Sequence, residues 1–376
     1  MKRKVLAVLM SFLLLVSLCG CVFRSENAVA ETNTIYYGYN NLNAVEQSVY
    51  NEILEDAKNM ETTFSLLDVN EAELEKVYQT LVYDHPELFW LSDGYTYSLR
   101  NFSLPFVFEL NYMSFTAKSL EINQELNQKI TELNEKVNEI VNKANAFKTD
   151  YEKVLFVYDY IVENTVYDDE TADKLDTEEA LTTVYPAQTA YGCLVEGSAI
   201  CSGYSEGFQL IMQEMGFVCG NAFGKDKEDG VEHQWNFLQL EDEYYFFDLT
   251  WGDPKDIENK EVDYKSYEFF GVTTKQLELT HILDETRIMP ECLGEKYNYY
   301  RYNGFYADNY YYSSARDIIK KQLNGNQFSI MFSTKEECER AKAELFNKGK
   351  FFNITTKFNE IYYYTGVAGN LLIITK

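Results

Sequence analysis

The chain has 376 residues, 46% hydrophobic and 25% charged, a globular composition with room for two or three domains. Sixty Asp and Glu against 33 Lys and Arg give a net charge of −27, which argues against nucleic acid as a partner because phosphate binding needs clustered positive charge. The three histidines, His85, His233 and His281, fall in no HExxH or Cys/His spacing, so neither a metal nor a cofactor is expected.

Lys2-Arg3-Lys4, an apolar run from Val5 to Val16 and the small-residue exit before Cys21 read as an export signal over residues 1–20. The apolar run is too short to span a bilayer. Leu18-Cys19-Gly20-Cys21 resembles the bacterial lipobox, which implies Cys21 as the site of lipid attachment. Residues 21–35 then form a tether, and the protein is expected to be exported and anchored by its lipid to the outer face of the cytoplasmic membrane. Acidic charge would be repelled by anionic headgroups, so attachment rests on the acyl chains. Five further cysteines, an odd number, leave at least one thiol unpaired within the chain.

Apolar residues at helical spacing predict helices over 44–60 and 71–82, with Pro86 behind the second and His85 read as structural. With β-leaning stretches at 95–99 and 106–112, residues 36–115 make a small α/β N-terminal module. Leu126, Ile130, Leu133, Val137, Ile140 and Ala144 stripe a long connecting helix within 116–148, read as packing on its own chain rather than as an intermolecular seam. Thr149-x-x-Glu152 is a capping box that opens a core of 149–262. A connector over 263–295 leads to a C-terminal α/β domain, 296–376. There, helices at 315–323 and 336–346, the latter behind a Ser333-x-x-Glu336 box, alternate with strands near 328–332, 353–358, 361–364 and 371–375, and Gly369-Asn370 supplies a hairpin turn.

The chemistry concentrates in 201–251. Phe208, Ile211, Met212 and Met215 define a buried helix that ends at Gly216 and begins at Cys201, where free N–H groups and the helix dipole favour a thiolate. Cys193 and Cys219 lack that setting and read as packing thiols. Strands over 233–240 and 244–251, joined by an acidic turn, place His233 diagonal to Asp248 on one sheet face when Trp235 faces Asp248. A thiol, an imidazole and a carboxylate so arranged suit covalent catalysis.

The order Cys201-Ser202-Gly203-Tyr204, Glu232-His233-Gln234-Trp235-Asn236, Asp248-Leu249-Thr250-Trp251 resembles the transglutaminase-like superfamily, with its C-x-G-Y, H-x-W-N and D-x-T-W, over roughly residues 150 to 260. The resemblance implies an α+β fold: a papain-like core with the Cys helix packed on an antiparallel sheet, flanked by the two α/β modules. It implies Cys201, His233 and Asp248 as a catalytic triad, and acyl transfer or hydrolysis of peptide or protein amides through a thioester. Asp253 is the rival third member. The Cys201 N–H, with Gln188 as a weaker candidate, would serve the oxyanion. The expected partner is a peptide or protein substrate, cell-wall peptide included. The alternative is a non-catalytic scaffold lipoprotein on the same core.

Overall fold

Capping chemistry sets the ends of the first helices. Two helices, α1 (Tyr37–Asn40) and α2 (Ala44–Lys58), begin the N-terminal part, and Asn43 and Glu46 cap α2 reciprocally through side chain and backbone. Strand β1 (Thr63–Leu67), helix α3 (Glu71–Asp84), and strands β2 (Leu91–Leu104) and β3 (Phe108–Ser119) follow, giving an antiparallel sheet in the order β1-β3-β2. The computed structural model describes residues 35–104, 108–175, 177, 183–252, 265–325, 327–358 and 360–375, with backbone alone at 101–104 and 108–110. The expected leader, Cys21 and Asp253 lie outside the described residues. Residues Thr34–Lys376 cluster as one unit.

Helix α4 (Gln124–Ala144) buries Leu126, Leu133, Val137, Ile140 and Ala144 within its own chain. Thr149 and Glu152 cap α5 (Asp150–Asn164) as their spacing predicts. The short strands β4 (Val166–Tyr167) and β5 (Ser198–Ala199) pair in parallel on either side of α6 (Asp169–Lys174), and β5 leads directly into α7 (Cys201–Glu214). Helix α7 is buried along most of its length and ends before Gly216, whose φ is 86°.

Strands β6 (Cys219–Asp226), β7 (Glu232–Leu240), β8 (Glu243–Phe247), β9 (Phe270–Val272) and β10 (His281–Leu283) form an antiparallel sheet ordered β10-β6-β7-β8-β9, with α8 (Thr274–Leu277) between β9 and β10 in sequence. Helix α7 lies against this sheet, where Asn236 donates to the Ser205 carbonyl at 2.9 Å. The pattern is α+β, a helix laid on an antiparallel sheet. The segment expected as a connector thus supplies both edge strands. The second strand of the 233–251 pair ends at Phe247 rather than Trp251, because Asp248 turns away to donate its N–H to Phe269.

The C-terminal part holds α9 (Tyr299–Tyr302), β11 (Tyr306–Ala307), α10 (Tyr312–Gln322), β12 (Gln327–Phe332), α11 (Lys335–Lys342), β13 (Tyr362–Thr365) and β14 (Leu371–Thr375), with strands ordered β11-β12-β14-β13. Two expectations shift here. Thr334, not Ser333, caps α11, with its hydroxyl accepting from the Glu337 N–H. Residues 353–358 form no strand: Gly349 turns the chain into a 3-10 turn (Lys350–Asn353), and the sheet edge is taken by β13. Among the described residues no helix is long and apolar enough to cross a membrane.

Candidate active site

Helix α7 starts without a side-chain cap: Ile200 occupies the N-cap position and offers no hydrogen-bonding group. The N–H groups of the first turn therefore lack side-chain partners and converge beside Cys201, where they and the helix dipole stabilise negative charge. The 3-10 turn Pro186–Gln188 packs against this start, with the Ala187 carbonyl accepting from the Ile200 N–H at 2.9 Å. Gly203 permits the approach, since a Cβ there would lie 2.3 Å from that carbonyl oxygen. Gln188 sits in this turn with its amide oxygen accepting from the Tyr185 N–H at 3.3 Å.

The β7–β8 register delivers the other two groups. Gln239 faces Tyr244 and Leu240 faces Glu243, leaving a two-residue loop in which Glu241 takes a φ of 55°. Extended past the end of β8, the register sets Trp235 opposite Asp248. His233 then reaches Asp248 on the diagonal, with Nε2 2.7 Å from Oδ2. Cys201 lies close enough to the same ring to favour its charged form, and because Nε2 is committed to the carboxylate, Nδ1 is the nitrogen left to face sulfur. The structure thus brings together Cys201, His233 and Asp248, the three residues singled out in the sequence.

Asp248 is fully buried, and its second oxygen accepts the Trp251 N–H at 3.1 Å. Burial alone would favour the neutral acid, but His233 and His281 together outweigh it and hold the carboxyl below the usual carboxylate range. For His233 burial opposes the charged form, while the charge and hydrogen bond of Asp248, with Cys201 in support, raise its pKa to about 10. Apolar walls keep these attractions strong: Trp235 and Trp251 lie 5.6 and 5.9 Å from the His233 ring, centroid to centroid.

Sequence reasoning missed His281. Its Nε2 lies 3.2 Å from the same Asp248 Oδ2, its Nδ1 lies 2.8 Å from the Thr280 hydroxyl, and it is 1% exposed. No spacing announces it, because β10 reaches the site by joining the far edge of β6. Gly224, opposite His233, admits this edge: a Cβ there would lie 2.0 Å from the Ile282 carbonyl oxygen. Among the described residues His233, Asp248 and His281 are the group with ligand atoms close enough to hold a metal, within 4.8 Å of one another. The 2.7 Å His233–Asp248 separation is a hydrogen bond, shorter than the roughly 3.3 Å kept by two ligands on a tetrahedral zinc. The atoms fit shared protons better than a metal ion.

The remaining candidates stay apart from this chemistry. His85 is buried with Nδ1 2.6 Å from Glu87. Cys193, Cys219, Cys292 and Cys338 are free and buried, and burial pushes the Cys193 and Cys338 thiols up to about 12. Cys201 alone of the five described cysteines is partly exposed.

No family model and no curated protein matches the chain. Among solved structures it is similar to a transglutaminase ("TGase") at 16% identity and a TM-score of 0.31, over 47% of this chain and 50% of that one. It is also similar to a candidate cysteine protease from Cytophaga hutchinsonii, at 12% identity and a TM-score of 0.25, over 42% and 64% of the two chains. A candidate protease from Parabacteroides distasonis aligns at 10% identity and a TM-score of 0.24, over 41% and 37%. The matched parts span less than two thirds of each of these chains.

Proposed function

We propose that the protein is a lipid-anchored extracytoplasmic cysteine enzyme acting on peptide or protein amides, with Cys201 as nucleophile, His233 as acid and base, and Asp248 as the carboxylate that orients His233. One observation carries this reading: a partly exposed thiol at an uncapped helix start lies beside a histidine whose Nε2 is held 2.7 Å from a buried carboxylate.

In the reaction so proposed, Cys201 Sγ attacks the amide carbonyl carbon as its proton resides on His233 Nδ1. The oxygen of the tetrahedral intermediate takes up negative charge beside the first N–H groups of α7. The C–N bond breaks, His233 gives its proton to the departing nitrogen, and a thioester remains on Cys201. Water or an amine then loses a proton to His233 and attacks the thioester, giving an acid or a new amide and returning the thiol. Acid–base help of this kind contributes about 10² to 10⁴ in rate. Cys21 would place the site outside the membrane, within reach of cell-wall or surface peptides.

A thiol-directed peptide probe tests the reading, with the Cys201→Ala protein as control. Labelling is expected on Cys201 and lost in the variant, whereas equal labelling of both proteins would reject it. Metabolic labelling with a fatty-acid analogue, lost in Cys21→Ala, tests the anchor.

A further inference from the structure

Two imidazoles share one carboxylate oxygen. His233 and His281 stand 2.7 and 3.2 Å from Asp248 Oδ2, their ring centroids 5.5 Å apart. An ionised carboxylate only accepts, so both rings present an N–H to it. Trp235, Trp251 and Phe269 pack around His281 with centroids 4.9, 4.5 and 5.2 Å away, which fixes the ring and excludes water.

We infer that His281 is a positioning residue: its Nε2–H draws part of the Asp248 charge away from His233, so that the His233 imidazolium can release its proton to a leaving amine. The inference rests on the proposed triad. An Asp248 with a single imidazole donor would hold the protonated His233 more tightly, making it a poorer acid at the step where the C–N bond breaks. Cys201 from α7 and His281 from β10 are ionisable side chains that act on the pair, and Tyr158 brings its hydroxyl to the Asp248 carbonyl at 3.4 Å.

The test compares wild type with His281→Phe and His281→Gln on a peptide p-nitroanilide and the matching p-nitrophenyl ester, and follows the His233 titration by NMR in each protein. The ester's leaving group departs without a proton, so only the anilide depends on the acid. His281→Phe is expected to slow anilide turnover by at least about ten-fold, to leave ester turnover within about three-fold, and to raise the His233 midpoint, with the Gln amide restoring both. Equal losses on both substrates with an unmoved His233 midpoint would overturn the inference. Alkylation of Cys201 with the pH dependence of a free thiol in wild type would reject the triad instead, and the NMR comparison still decides the role of His281 because it needs no turnover. If the Phe variant does not fold, Thr280→Val removes the partner of His281 Nδ1 and should shift the His233 midpoint in the same sense, while no shift overturns the inference.

Discussion

Asp248 uses its two oxygens differently. Oδ1 is pinned by the Trp251 N–H at 3.1 Å and Oδ2 meets the imidazoles. Asp248→Asn keeps the shape but offers the rings a weaker, neutral acceptor or a competing donor, so kcat is expected to fall about 10² to 10⁴-fold in steady-state assays while the melting temperature falls modestly. The pH dependence follows from His233. A histidine raised to about 10 in the folded protein keeps its full stabilising contribution below its ordinary value of about 6.5 and loses it as pH rises through about 10. The rate of Cys201 alkylation by iodoacetamide should therefore change slope near pH 10, and Asp248→Asn should bring that break to lower pH.

At the scale of elements, the start of α7 depends on small residues that let three segments meet. The carbonyl of Ala187 rests where any Cβ at Gly203 would go, and the hydroxyl of Tyr158 lies 2.1 Å from a Cβ at Gly252, just past the Asp248 turn. Gly203→Ala should cost about 1 to 3 kcal/mol, read by urea denaturation, and should slow Cys201 labelling by displacing the Pro186–Gln188 turn from the helix start. Tyr158 links α5 to the same region: its hydroxyl donates to the Ser266 carbonyl at 2.8 Å, so the helix that precedes the site also supports the chain leaving it. The tyrosines near residue 300 act as packing surface, Tyr299 stacked on Tyr267 and Tyr302 on Tyr151 with centroids 3.9 and 3.6 Å apart.

Across the whole described chain, residues 265–295 tie the parts together. Glu268 is 4% exposed and accepts the N–H groups of Val367 and Ala368 at 2.9 and 2.8 Å, clamping the β13–β14 turn to the segment that holds Asp248 through Phe269. Burial raises its pKa to about 7 although the two N–H groups oppose the rise. A carboxyl raised in the folded state lends stability that is complete below its ordinary value of about 4.3 and is lost as pH climbs through about 7. Thermal melts should show stability declining between pH 5 and 8, and Glu268→Gln should flatten that decline. An unchanged slope in the variant would assign the dependence to other groups.

Much of this was readable before any coordinates, and for a local reason. The helix that starts at Cys201, the Thr149 capping box and the pairing of 233–240 with the strand after the acidic turn depend on residues a few positions apart, so spacing and alternation reveal them. The pairing of His233 with Asp248 was legible because the two belong to one hairpin whose register fixes their diagonal. His281 was not, because it arrives on an edge strand 33 residues beyond Asp248 and only sheet order brings it there. The strand expected at 353–358 failed for the complementary reason: β-branched residues favour an extended chain, but the chain enters this stretch from the 3-10 turn Lys350–Asn353, and it is β13 that pairs with β14. The sequence by itself determined which side chains could carry the chemistry; tertiary pairing decided that one buried carboxylate serves two imidazoles, because long-range strand neighbours are set by the packing of the whole sheet and leave no periodic mark along the chain.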